Sequence, residues 1–258
     1  MTKIVALNAL SDNYIWVIHD TNDEIIVVVD PGEAAPVLEY IKAHHLKLHG
    51  ILLTHHHLDH SGGITTLLAH YPEIPVYSSE IDKVPGVTHF VTEGQKILFS
   101  NSHAISVLDI PGHTHGHIAF RYENALFSGD TLFSVGSGRI FEGTVLQMYN
   151  SLNKLKKLPK NTLIYCGHEY TLVNIAFAET VDPNNLALAE RKKQVQNLRN
   201  QHLPSLPVTL EVELQTNPFL RCEKPNIMAA VQKYMHKPLN DPVAVLLALR
   251  QWKDNFNG

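Results

Sequence analysis

The stretch Thr54-His55-His56-His57-Leu58-Asp59-His60 places five residues able to bind a metal ion within seven positions. It follows the apolar run Ile51-Leu52-Leu53 and precedes Ser61-Gly62-Gly63 and a helical pattern, so it reads as a strand-to-helix loop. A loop need not keep a regular period and can aim several side chains at one spot. Imidazole and carboxylate together suit zinc, iron or manganese. Four histidines and an aspartate crowded this closely would be costly titrating neighbours unless a metal ion ordered them.

Three further segments repeat the same grammar of apolar strand, turn residue and ligand-type residue. They are Val107-Leu108-Asp109-Ile110-Pro111-Gly112-His113, Leu126-Phe127-Ser128-Gly129-Asp130 and Leu163-Ile164-Tyr165-Cys166-Gly167-His168. A glycine before each ligand lets the backbone turn tightly, and ligands at strand ends converge where a sheet opens onto loops.

Up to about residue 168 short β-branched runs alternate with turn signals. Strands are expected at Ile4–Leu7, Tyr14–Ile18, Ile25–Val29, Ile51–Leu53, Ile105–Ile110, Ile118–Tyr122, Leu126–Ser128 and Leu163–Cys166. Helical patterns lie between some of them, at Ala34–His44, Ile64–His70 and Leu146–Leu158. Beyond residue 170 the character turns helical, with Leu172–Thr180 and then a segment opened by Asp182-Pro183 as an expected N-cap. A last helix starts at Asp241-Pro242, with Val245, Leu249, Trp252 and Phe256 forming a core stripe. Two domains are therefore expected, 1–168 and 169–258, in an α+β chain whose sheets are covered by helices.

The chain has 258 residues, 44% apolar and 18% charged, as in ordinary globular proteins. Its net charge of −4 and the lack of a basic block longer than Arg191-Lys192-Lys193 argue against a nucleic-acid partner. No segment reads as a signal peptide or as a membrane span, so a cytoplasmic protein without a membrane partner is expected. Cys166 and Cys222 are then expected as reduced thiols, with Cys166 structural. The count of 17 histidines is unusual, exceeding either Tyr or Phe at nine each.

Taken together, THHHLDH, PGHTHGH, FSGDTLF and YCGHEY resemble the metallo-β-lactamase superfamily, and within it the glyoxalase II family of hydroxyacylglutathione hydrolases. The resemblance implies an αββα sandwich for residues 1–168 and a smaller, mainly helical, glutathione-binding domain for 169–258. It implies one metal held by His55, His57 and His113, a second by Asp59, His60 and His168, and Asp130 bridging both. Two divalent ions would be present, zinc before iron or manganese. Asp59 and Asp130 would serve catalysis by holding a bridging hydroxide, made available near neutral pH by the two-metal site. His56 should point away from the ligands, and His115 and His117 should support or pack rather than ligate. His19, His44, His45, His49, His70, His89, His103, His202 and His236 are assigned to surface or core.

The resemblance extends to Gly136–Thr144, His168-Glu169-Tyr170, Asn217–Arg221 and Arg250-Gln251-Trp252-Lys253-Asp254. Arg250 and Lys253 share a helix face, and two cations there suit a dianionic ligand. The family places them, with Arg139, Tyr170 and Asn174, around glutathione. Arg139 and Phe141 depart from the Lys and Tyr of many members; a guanidinium keeps the anion-binding capacity, whereas the phenolic hydrogen bond is lost. The expected activity is hydrolysis of S-D-lactoylglutathione to D-lactate and glutathione in methylglyoxal detoxification, by a monomer. Alternatives are a superfamily hydrolase of a lactone, β-lactam or RNA, a persulfide-oxidising iron enzyme, or a metal- or glutathione-binding module without turnover. Residues 185–214 carry no motif that points to a function.

Overall fold

The computed structural model describes residues 2–100 and 103–256. In chain order the elements are β1 (Thr2–Ala9), β2 (Asn13–Asp20), β3 (Ile25–Val29), α1 (Ala35–His44), β4 (Lys47–Leu52), α2 (Leu58–Ser61), α3 (Ile64–His70), β5 (Val76–Ser79), β6 (His89–Val91), β7 (Lys96–Ser100), β8 (His103–Asp109), β9 (Ile118–Tyr122) and β10 (Ala125–Gly129). There follow β11 (Leu132–Phe133), β12 (Gly136–Ser137), α4 (Val145–Leu155), β13 (Leu163–Cys166), α5 (Thr171–Val181), α6 (Leu186–Asn200), β14 (Val208–Thr209), α7 (Leu210–Thr216), α8 (Pro225–Met235) and α9 (Pro242–Asp254). The chain forms two compact units, one of residues 1–109, 115–129 and 165–168, the other of residues 110–114, 130–164 and 169–258.

In the first unit, one sheet has the order β1-β2-β3-β4-β5-β6, antiparallel up to β3 and parallel from β3 onward. The other is an antiparallel run β10-β9-β8-β7, with β13 beside β10. Strands buried on both faces need apolar side chains at every position, which is why β3 reads as an unbroken Ile-Ile-Val-Val-Val run. On one side of the first sheet, Val28, Ile51 and Leu53 pack with Val37 and Ile41 of α1 and Ile64 and Leu67 of α3. On its other side Val27, Leu52 and Tyr77 meet Ile97, Phe99 and Ile105 of the second sheet. Two parallel strands, β3 and β4, thus end side by side, and their carboxyl ends deliver Asp30 and the His-rich loop.

The second unit holds the β11–β12 hairpin, the Leu163–Ile164 pairing with β14, and the helices from α4 on. Several of its helices start on side-chain caps: Thr144 and Gln147 form a reciprocal capping box, and Asp241 accepts from the amides of Val243 and Ala244. Val245 and Leu249 of α9 are buried, and Trp252 stacks flat on Tyr234 at 4.2 Å between ring centres.

The expected strands and helices are present, with two differences. Asp182 does not open a helix: its amide closes α5 onto Ala178 while its carboxylate is engaged by Arg221 and Asn226. Asn185 caps α6 instead, accepting from the Leu188 amide at 3.1 Å. α2, β5, β6, β7, β11, β12, β14, α7 and α8 carried no expectation; α8 nonetheless buries Ile227 and Val231.

Gly129 closes β10 with φ of +48°, and a Cβ there would lie 2.4 Å from Thr54 Oγ1 and 2.7 Å from the His117 ring. Left-handed backbone and steric overlap act together at this one residue. Gly129→Ala is expected to lower the unfolding free energy by about 2 kcal/mol or more. An unchanged urea midpoint would show that the site tolerates a side chain.

Candidate functional site

The first unit builds a cluster around Asp59, His60 and His168. The loop after β4 brings His57 to the start of α2, whose first turn carries Asp59 and His60. His168 follows β13, where Tyr14 N–H donates to Gly167 O at 2.8 Å and Gly167 N–H to Gly129 O at 3.1 Å. The Nε2 atoms of His60 and His168 face each other at 3.2 Å. Asp59 Oδ2 lies 3.5 Å from the first and 3.3 Å from the second.

What surrounds this cluster fixes the chemistry of those nitrogens. His60 Nδ1 donates to Asp30 Oδ2 at 3.0 Å, and His168 Nδ1 donates to Asp12 Oδ1 at 2.7 Å. A carboxylate can only accept, so both neutral rings carry their proton on Nδ1 and their lone pair on Nε2. Two imidazole lone pairs and a carboxylate oxygen then converge on one point, an arrangement that repels itself until a cation lies between them. The donor set therefore fits a metal ion. Asn13 steadies the third ligand, its amide donating to both the carboxylate and the carbonyl of Asp59 at 3.1 Å.

His55 and His57 lie in the same unit, their rings 4.7 Å apart and edge to face. His55 is buried, meets Thr54 Oγ1 through Nδ1 at 3.0 Å, and stacks on His117 at 4.6 Å. Asp30 organises this region: its two oxygens accept from the Thr54 amide and hydroxyl, both at 2.7 Å, as well as from His60. His56 turns to the buried Asp82, which accepts from its amide at 3.0 Å and lies 3.3 Å from its ring. His115 is exposed and His117 buried; of the other histidines His19 is buried, and His44, His45, His49, His70, His89, His202 and His236 are exposed. The side chain of His103 lies outside the described residues.

The second unit carries His113 and Asp130. His113 Nδ1 donates to Arg139 O at 2.8 Å, which again leaves the lone pair on Nε2, and that atom lies 3.7 Å from Asp130 Oδ2. Phe141 sets its ring edge-on to His113 at 5.3 Å. Gly112 makes this turn possible, since a Cβ there would strike the Met148 backbone at 2.7 Å.

Asp130 also lines a cleft of about 560 Å³ together with Arg139, Tyr170, Asn174, Arg250 and Lys253. All five expected substrate residues thus share one cavity with an expected metal ligand. Arg250 is buried and heavily engaged, its Nη1 donating to Ser137 O at 2.7 Å and its Nε and Nη2 to Asp254 at 3.1 and 2.9 Å. Asp254 also meets Arg139 Nε at 3.3 Å, so one carboxylate ties two guanidinium groups together. Lys253 donates to Val173 O at 3.1 Å and sits over the rings of Phe177 and Phe256. Burial and the neighbouring Arg250 push its pKa down to about 8. Asn174 donates to Ser134 O at 3.0 Å, and Tyr170 packs edge-on to Phe133.

Asp12, Asp30 and Asp254 were not among the expected site residues. Asp30 follows a strand and precedes Pro31-Gly32, so a strand end, a ligand-type residue and a turn occur together there, although in a different order from the other segments. Asp12 sits in a turn that gives no such pattern.

Comparison with known proteins agrees with this picture. The metallo-β-lactamase superfamily profile matches residues 10–168, and the hydroxyacylglutathione hydrolase C-terminus profile matches residues 169–256. The hydroxyacylglutathione hydrolase of Nitrosomonas europaea is 48% identical over 259 residues, covering 100% of this chain and 98% of its own. That of Aeromonas hydrophila is 47% identical, covering 99% and 100%. Among solved structures, ETHE1 from Myxococcus xanthus aligns with a TM-score of 0.65 at 22% identity, over 97% of this chain and 98% of that one. A protein crystallised in a di-iron-bound form aligns at 0.60 with 25% identity, over 84% and 99%. The fold is that of the metallo-β-lactamases, with a helical C-terminal region.

Removing the partner of His168 Nδ1 frees its ring to rotate and its tautomer to change. Asp12→Ala is expected to weaken metal binding about 10- to 100-fold at the Asp59/His60/His168 cluster. Competition against a chelator measures this, and unchanged affinity would deny Asp12 the orienting role.

Proposed function

The chain belongs to the hydroxyacylglutathione hydrolase family of the metallo-β-lactamase superfamily, and on that premise we propose that it hydrolyses S-D-lactoylglutathione to D-lactate and glutathione, the second step of methylglyoxal detoxification. The observation that carries the reading is the cleft in which Asp130 shares a wall with Arg139, Arg250 and Lys253. We assign His55, His57 and His113 to one divalent ion, Asp59, His60 and His168 to a second, and Asp130 to both, with zinc as the working identity of the pair. When bound, such ions lower the pKa of water towards neutrality and polarise a carbonyl oxygen, so no serine or cysteine nucleophile is needed. Cys166 fits a structural role: it is buried, with its sulfur 3.5 Å from His168 O.

The chain's own residues supply placement. Asp12, Asp30 and the Arg139 carbonyl hold three imidazoles in one tautomer and one orientation, so no reorganisation accompanies the reaction. On the substrate side Arg139 and Lys253 offer cationic donors to the carboxylates of glutathione, and Asp254 holds Arg250 and Arg139 in fixed positions. Positioning of this kind turns binding energy from the remote peptide into rate at the thioester carbon. The net charge of −4 gives no general attraction for nucleic acid, and no helix among the described residues is long and apolar enough to cross a membrane. We take the working protein to be a cytoplasmic monomer.

Purified protein loaded with two equivalents of metal is expected to consume the lactoylglutathione thioester, followed by its ultraviolet absorbance. No consumption at full occupancy would refute the reading. Asp130→Ala is expected to abolish turnover and to reduce bound metal below two ions per chain by elemental analysis; two retained ions would contradict the bridging assignment.

Lys253 gives a second test. With its pKa near 8 the ammonium is present below that pH and lost above it. An anionic ligand therefore binds less well as pH rises through 8, and kcat/KM for the thioester should fall on that limb. Bound carboxylate favours the charged lysine, so the corresponding limb in kcat should lie at higher pH. Lys253→Arg should remove the limb from kcat/KM; its persistence would assign the titration elsewhere.

A further inference from the structure

A buried carboxylate in the helical part of the second unit takes no part in the scheme above. Glu213 of α7 is fully buried, and its acid is surrounded by donors. The Ser134 hydroxyl donates to Oε1 at 3.0 Å, while the Val135 amide and the Asn217 side-chain amide donate to Oε2 at 2.8 and 2.9 Å. Arg191 donates to Ser134 Oγ at 3.3 Å, completing a chain from guanidinium through hydroxyl to carboxylate. Asn217 also donates to Gly136 O at 2.9 Å. Apart from the bond between Asn217 and Glu213, these contacts fall on residues 134–136 of the β11–β12 hairpin.

That tip is strained. Leu132 pairs with Ser137 and Phe133 with Gly136, so the turn has only two residues, Ser134 and Val135. Val135 has φ of +57°, a left-handed conformation that a β-branched side chain adopts only when its surroundings impose it. The Glu213 carboxylate on the Val135 amide is the contact best placed to do so.

The hairpin matters because of what it touches. It begins two residues after Asp130, and its Ser137 carbonyl receives Arg250 while its Ser134 carbonyl receives Asn174. We infer that Glu213 is a positioning residue for the thioesterase reaction: by fixing the strained Ser134–Val135 turn it holds both Asp130 and the Arg250/Asn174 wall of the cleft in register. The inference rests on the proposed function for the reaction it serves, and on the hairpin geometry for the residue it names. A glutamine there keeps the bonds from Val135 and Asn217 only by turning its NH2 to Ser134 Oγ, which already accepts from Arg191, so the Ser134 hydroxyl loses its acceptor and Arg191 loses the charge it faces.

The experiment compares Glu213→Gln, Val135→Gly and the double variant in the metal-loaded full chain. Glu213→Gln should lower kcat/KM about tenfold or more, since small misplacements of reacting groups carry losses of that order. It should also speed amide hydrogen exchange at residues 132–137 by about tenfold. Glycine removes the left-handed penalty, so Val135→Gly in the Glu213→Gln background should return kcat/KM to within about threefold of the parent. A residue that merely stabilises the core would behave in the opposite way, because deleting the buried Val135 side chain would then add a second defect. Unchanged exchange at 132–137 in Glu213→Gln, or a double variant worse than the single, overturns the inference. Should Glu213→Gln not fold, a folded and active double variant supports it and an unfolded one refutes it. If the parent chain turned over no thioester the reaction reading would fall, while the exchange data would still decide whether Glu213 holds the turn.

Discussion

Two imidazole nitrogens pointed at each other across 3.2 Å, with a carboxylate oxygen beside them, is the constraint on which the rest of the first unit depends. Left alone, three electron-rich atoms this close, two of them on buried rings, would separate. They are held because each histidine is anchored behind by an acid, Asp30 for His60 and Asp12 for His168. Those acids are anchored in turn: Asp30 closes β3 and accepts two further bonds from Thr54 at the end of β4. Parallel strands ending together are therefore the means by which a repulsive cluster is assembled before any ion arrives. The folded chain stores part of the cost of metal binding in advance, so that affinity is not reduced by reorganising the ligands.

The second unit applies the same device with opposite charges. Arg250 would be an expensive guanidinium to bury, and burial indeed pushes its pKa down. Asp254 offsets that cost with two hydrogen bonds and adds Arg139 to the same carboxylate. In both units an acid that never needs to meet the ligand orders the basic groups that do. Glu213 extends this to the backbone, where a carboxylate orders amides and a hydroxyl.

How much of this was legible in the sequence follows from how local each signal is. The THHHLDH loop, the glycine-ligand turns and the strand before each are local, because ligand type and turn chemistry lie within a few residues. His113, Asp130 and His168 could be named for that reason. Asp254 could have been read as an i,i+4 partner of Arg250 on one helix. Asp12 could not, since its partner His168 lies 156 residues away and the turn around it has no ligand pattern. The Asp182-Pro183 pair shows the converse case. A capping signal was present, but tertiary contacts with Arg221 and Asn226 took the carboxylate, and Asn185 capped α6 in its place. Residues 185–214 looked uninformative because Arg191 and Glu213 act through buried polar contacts with a distant hairpin, which no periodicity announces.

The arrangement around Asp254 also bears on Arg139, where the family resemblance leads to an expectation of lysine. Asp254 serves Arg250 through two nitrogens and has to share what remains of its acceptor capacity with residue 139. An ammonium in that place would divide a single nitrogen between Asp254 and an incoming carboxylate. A guanidinium can give its Nε to Asp254 at 3.3 Å and keep a separate edge of N–H donors for the ligand. Arg139 is largely exposed, so holding it costs side-chain entropy that the Asp254 contact returns only in part. What the contact supplies instead is position: it ties a long, exposed side chain that lines the cleft to a fixed carboxylate. An arginine here thus keeps a cation on the cleft while one of its nitrogens is held by Asp254.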